Sequence, residues 1–150
     1  MHNKYQEMKK ILFIALVVFL GACREEKTVQ VEEEPVLSTE LPQGFHDFYD
    51  QFHSDSNFQM QHIIFPLKGT ATKKDSMETI TLDKEYVAEN WKLHKPFNAD
   101  AGFNRSFTAM GDLVIEKMQD DMGLFTIERR WGKVDSTWSL IYYGTTEKTW

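Results

Sequence analysis

With 150 residues and a formal net charge of −6, the chain has the length of one domain. It carries no basic cluster, which excludes the phosphate contacts that dominate nucleic-acid binding and equally excludes electrostatic attraction to anionic lipid. A single cysteine, Cys23, rules out an internal disulfide, so the fold must stand on a hydrophobic core. The 11 Phe, 5 Tyr and 4 Trp supply ample material for one.

In chain order, the first element is the apolar run Ile11–Leu20, preceded by Lys9 and Lys10. Ten residues are too few to cross a bilayer as a helix, which takes ~20. They match the ~7–15 apolar residues of a secretory signal peptide behind a basic flank. Leu20-Gly21-Ala22-Cys23 resembles a bacterial lipobox. That resemblance implies cleavage before Cys23, a diacylglycerol on its sulfur and an acylated new amino terminus. Met8-Lys9-Lys10 would itself open a compact signal, which makes Met8 an alternative start to Met1. Removing residues 1–22 leaves 128 residues and takes away three lysines and one glutamate, so the net charge moves from −6 to −8. Attachment to a membrane would then come from the acyl chains, at ~0.8 kcal/mol per buried CH2.

Residues 24–43 hold six glutamates, two prolines and no aromatic residue. Such a segment buries too little apolar area to offset its ordering entropy, and a mobile, charge-extended tether is expected across 23–43. Arg24-Glu25-Glu26 after the cysteine is similar to the surface-export signals of Bacteroidetes-type lipoproteins, and reads equally as a plain acidic linker. Arg24 is not the aspartate that marks inner-membrane retention in enteric-type bacteria, so the expected destination is the outer membrane, on its periplasmic or surface face.

A folded domain is expected over 44–150. Phe45, Phe48, Tyr49 and Phe52 recur at i, i+3, i+4 and i+7, which predicts a helix over Gly44–Asp55. Ser54-Asp55-Ser56 interrupts it and caps a second, short helix holding Phe58. Ile63-Ile64-Phe65 starts a strand that Pro66 should end or confine to an edge, and Lys68–Asp75 reads as a polar turn. Thr79–Leu82 alternates as a short strand. Asp83 is then the expected cap of a helix through Trp91, with Tyr86, Val87 and Trp91 buried and Lys95-Pro96 as its end.

From Phe103 the apolar period drops to two. Strands are expected at about 103–110, 113–119, 123–131 and 136–145, with turns at Gly111-Asp112, Asp120–Gly123 and Gly132–Ser136. Trp138, Leu140 and Tyr142 should share one face. Helices first and strands after, without βαβ alternation, predicts an α+β fold with N-terminal helices on a curved antiparallel sheet.

Phe45–Phe52, Asp55–Gln59 and Ile63–Leu67, with Trp91, Pro96-Phe97 and Trp138-Ser139-Leu140 further on, resemble small Bacteroidetes-type lipoproteins of unknown function. That resemblance spans most of 44–146 and implies a cone of helices wrapped by a bent sheet, similar to nuclear transport factor 2. It brings no established catalytic residues.

Four constellations stand out. His46, Asp50 and His53 form one helical column, chemically fit for zinc but expected first as a solvated face. His62 and His94 lack a carboxylate or hydroxyl at a useful spacing and read as boundary histidines. Asp100, Glu116 and Glu128, with Tyr49, Tyr142 and Tyr143 as acid donors, could equip a cone of this kind for proton transfer, although structural or solvated roles are the first expectation. Trp131, Trp138 and Trp150 would form a sugar platform if exposed and a core if not. No nucleophile elbow or glycine-rich phosphate loop appears.

The expected function is therefore a lipid-anchored, non-catalytic module of the cell envelope that binds a protein or small ligand, without cofactor or resident metal. A small-molecule isomerase or dehydratase with its pocket in the cone, and a glycan-binding surface lipoprotein, are the alternatives.

Overall fold

The computed structural model describes residues 38–149. The signal run, Cys23, the tether as far as residue 37 and Trp150 lie outside the described residues.

Helix α1 (Phe45–Ser54) follows from its aromatic stripe: Phe45, Phe48, Tyr49 and Phe52 are all buried. Asp55 ends α1 and opens α2 (Ser56–Gln61), its carboxylate accepting from the backbone N–H groups of Asn57 and Phe58 at 2.8 and 3.0 Å. Six strands follow: β1 (Ile63–Lys74), β2 (Thr79–Tyr86), β3 (Phe103–Met110), β4 (Leu113–Asp120), β5 (Phe125–Val134) and β6 (Thr137–Lys148). They make one open sheet in the order β2-β1-β6-β5-β4-β3. The α+β architecture is thus the expected one, with the helices on one face. Four of the five pairings are antiparallel; β1–β6 is parallel, the strands between them serving as its crossover.

Trp131 of β5 is the hub of the core. It is fully buried, with the rings of Phe45, Phe48, Tyr49 and Phe52 between 4.8 and 6.2 Å from its own, mostly edge-on. Trp138 is buried against Phe45 at 5.2 Å. These two indoles are core, not a sugar platform.

Elsewhere the chain departs from its local signals. Strand β1 does not stop at Pro66 but runs on through Lys68–Lys74, the stretch expected as a turn. Pro66 falls where the β1–β6 register shifts, between Ile63 and Lys68, and just before pairing with β2 begins at Leu67, so no ladder bond is asked of its missing N–H. The Phe65–Pro66 peptide is cis. Asp83 caps no helix: it pairs with Thr70 inside β2, and only a single 3₁₀ turn, Ala88–Asn90, forms before Trp91. Lys95-Pro96 accordingly ends no helix. A hairpin partner for Lys68–Lys74 outcompeted the local helix signal. The segment expected as tether meets the domain before Gln43, since Ser38 exchanges backbone bonds of 2.9 and 2.7 Å with Ala109 of β3 and Leu41 packs on the core.

The last four strands lie close to their expected positions. The turn expected over Gly132–Ser136 is only Asp135-Ser136, both at positive φ, because Gly132–Val134 stay paired with β6. One face assignment changes. Pairing steps from Trp131–Leu140 to Arg130–Tyr142, leaving Ile141 as a bulge. Trp138 and Leu140 face the helices, but past the bulge Tyr143 takes that side and Tyr142 the opposite one.

Candidate functional site

The alternation of β4 and β5 carries polar groups under α1. Val114, Glu116 and Met118 are buried in β4, and Arg129 and Trp131 in β5, with Glu116 paired to Arg129 in register. Glu116 is wholly buried, and each carboxylate oxygen faces donors. Oε1 accepts from the Tyr49 hydroxyl at 2.6 Å and Arg129 Nη2 at 3.3 Å, and Oε2 accepts from the Trp131 indole at 3.3 Å. Arg129 Nε stands 3.0 Å from Oε2, near enough for an ion pair but misaligned for a hydrogen bond. Arg105 Nη1 in turn donates to the Tyr49 hydroxyl at 3.2 Å, its guanidinium lying 4.4 Å from the centre of the Phe97 ring. Burial raises the Tyr49 phenol far above its usual range, with Glu116 adding to the shift against the opposing pull of Arg129.

Two histidines complete the cluster. His53 Nδ1 donates to the Tyr49 carbonyl at 2.8 Å, which leaves Nε2 to accept from Arg129 Nη1 at 2.7 Å. His94 Nδ1 accepts from the same Arg129 nitrogen at 3.2 Å. Both rings are therefore neutral acceptors toward a cation. Burial, then the Arg129 charge, pulls His94 down to about 3; burial is also the main cause that takes His53 to about 4, against its bond to the Tyr49 carbonyl. His94 is positioned by Gln59, whose buried amide donates to the His94 carbonyl at 2.9 Å and accepts from its N–H at 2.7 Å. Its ring stands between Trp91 (4.8 Å) and Tyr143 (5.2 Å). At this end of the cone a cavity of about 240 Å³ opens between the loop Leu93–Lys95 and Met118, Ile127, Arg129 and Tyr143. Burial raises the Tyr143 phenol.

Of the sequence-predicted residues, Tyr49 and Glu116 meet directly, while Tyr143 lines the cavity with His94. Asp100 and Glu128 are elsewhere: Asp100 is exposed in a 3₁₀ turn, and Glu128 lies on the opposite sheet face, bonded to Arg130 at 2.8 Å. The helical column does not assemble as a unit. His46 and Asp50 are exposed, whereas His53 is turned inward with both ring nitrogens occupied. Among the described residues no group of three His, Cys, Asp or Glu side chains could hold a metal ion. His62 stacks on Phe58 at 3.8 Å and bonds its carbonyl, a local role. Arg129 and Arg105, which organise the whole cluster, were missed; the available signal was an arginine in phase with Ile127 and Trp131 on a buried face.

No protein-family model and no curated protein matches the chain. Among solved structures, a nuclear transport factor 2-like protein from Bacteroides fragilis aligns at a TM-score of 0.49 and 17% identity, over 72% of this chain and 50% of that one. The chain thus spans half the length of that protein. The α+β class rests on the sheet and helices described above.

Proposed function

We propose that the chain is a lipid-anchored, non-catalytic binding module of the cell envelope, held at the outer membrane by acyl chains on Cys23. The anchor is supported by Ile11–Leu20, its lysine flank and the lipobox-like Leu20–Cys23. The non-catalytic part is carried by Glu116. A general base must reach the proton it takes, yet both oxygens of this buried carboxylate are engaged by protein donors, and it lines neither the 240 Å³ cavity nor the larger groove on the other sheet face. Away from that small cavity, the space between α1 and the sheet is filled by aromatic rings around Trp131.

A second reading, an isomerase or dehydratase, has one observation in its favour: His94, neutral at pH 7, stands in the wall of the small cavity. Metabolic labelling with palmitate tests the anchor. The full-length protein takes up label and enters the detergent phase, and Cys23→Ala does neither. An unlabelled protein that keeps residues 1–22 would overturn the anchor.

A further inference from the structure

The sheet face turned away from the helices carries a groove of about 590 Å³, large enough for a ligand of drug or oligosaccharide size. We propose that this groove binds a neutral, polyhydroxylated ligand, a short segment of oligosaccharide. The inference rests on the binding-module reading and names the class of ligand; it does not depend on the anchor.

The lining is the first reason. None of the thirteen residues around the groove has an aliphatic side chain, although the chain as a whole is 41% hydrophobic. Hydroxyls of Thr70, Ser106, Thr126 and Thr146 and the amide of Gln119 each both donate and accept. A surface so equipped holds water well. The ligands that displace that water without loss reproduce its mixed donor and acceptor pattern, which sugar hydroxyls do. A second copy of the chain or another protein would need an apolar patch at the centre of the interface, and this groove offers none.

Charge is the second reason. Arg130 is paired to Glu128 at 2.8 Å, and Lys117 lies 4.0 Å from the same carboxylate. Arg105, the third cation of the lining, is engaged by the Tyr49 hydroxyl and the Phe97 ring, so each cation has a partner in the protein, and the heparin probe below reads the positive charge that the single carboxylate leaves over.

Third, the floor is built in advance. Tyr142 lies flat because residue 144 is glycine: a Cβ there would sit 2.8 Å from the Tyr142 hydroxyl. That hydroxyl is tied to Thr70 Oγ1 at 2.7 Å, and the Arg130 guanidinium stacks 4.1 Å from the ring centre. Arg130 is thus clamped by Glu128 and Tyr142, and its side chain remains 43% exposed. A fixed planar donor of this kind suits a pair of vicinal hydroxyls with little ordering cost.

Calorimetric titration of the full-length protein in a polyoxyethylene detergent, which carries no sugar headgroup, provides the test. The probes are cellohexaose, xylohexaose, chitohexaose and a heparin hexasaccharide. A neutral hexasaccharide binds at millimolar concentration or better, Tyr142→Ala and Gly144→Ala each weaken it about tenfold or more, and Met77→Ala at the far hairpin tip leaves it unchanged. Far-UV circular dichroism identifies folded variants, and Arg130→Gln replaces any that fail to fold. Binding of the heparin probe alone, binding of none, or binding that survives Tyr142→Ala and Arg130→Gln overturns the proposal. So does light scattering that shows a dimer closing this face. Palmitate labelling is unaffected by any of these results, so failure of the groove and failure of the anchor are distinguishable.

Discussion

Arg129, with 4% of its surface exposed, would be intolerable at its position without Glu116. The pair stands on mutual need: the ion pair offsets the desolvation of both groups, and Tyr49 and Trp131 satisfy the oxygens left over. Glu116→Gln keeps the shape, removes the charge and turns an N–H₂ toward groups that are themselves donors. We expect it to lower the unfolding free energy by about 3 kcal/mol, read from urea midpoints. Replacing both partners, Glu116→Gln with Arg129→Met, should recover part of that loss, because no buried cation is then left alone. A single-mutant loss under about 0.5 kcal/mol would mean the cluster carries no structural weight.

At the scale of elements, the parallel β1–β6 contact leaves no room for a side chain at residue 69. Gly69 pairs with Tyr143, and a Cβ on residue 69 would fall 1.9 Å from the Tyr143 carbonyl oxygen, with the Tyr86 ring 3.1 Å away. Backbone cannot yield as a flexible side chain would. Gly69→Ala is expected to cost about 3 kcal/mol and to loosen β1 together with β2, which has no other neighbour in the sheet. Gly111 offers the contrast: nothing lies within 4 Å of its Cβ position, and only its φ of 56° resists a side chain, so Gly111→Ala should cost about 1 kcal/mol. Thermal melts of the two variants compare these costs directly. This joint also explains why β1 was illegible locally. Lys68–Lys74 looks like a turn until β6, some seventy residues later, supplies the partner.

For the molecule as a whole, the two neutral histidines make the fold weaken in acid. In the folded protein their pKa values fall to about 4 for His53 and about 3 for His94, against 6.5 for an ordinary histidine. Below pH 6.5 the unfolded chain therefore binds protons that the folded one refuses. The stability they contribute is present above about pH 6.5 and is lost progressively as the pH falls toward 4 for His53 and toward 3 for His94. Between pH 7 and 5 we expect a loss on the order of 4 kcal/mol, about half from each histidine, measured by urea unfolding at each pH. His94→Asn should flatten that slope by about half. A slope unchanged by the substitution would show that His94 is not held neutral.

Local periodicity was enough for what depends on neighbours in the chain. The aromatic spacing of α1, the Asp55 cap and the period-two strands from Phe103 onward all follow from residues a few places apart. The sequence by itself also determined the leader-like run and the lone cysteine, features that owe nothing to packing. Tertiary structure alone decided the rest. The Ile141 bulge sent Tyr142 outward and Tyr143 inward, distant pairing turned the expected Asp83 helix into strand, and the register of β4 on β5 set Glu116 against Arg129. The physical reason is the same in each case. A one-residue shift in pairing reverses which face a side chain occupies, and only the partner strand fixes that shift.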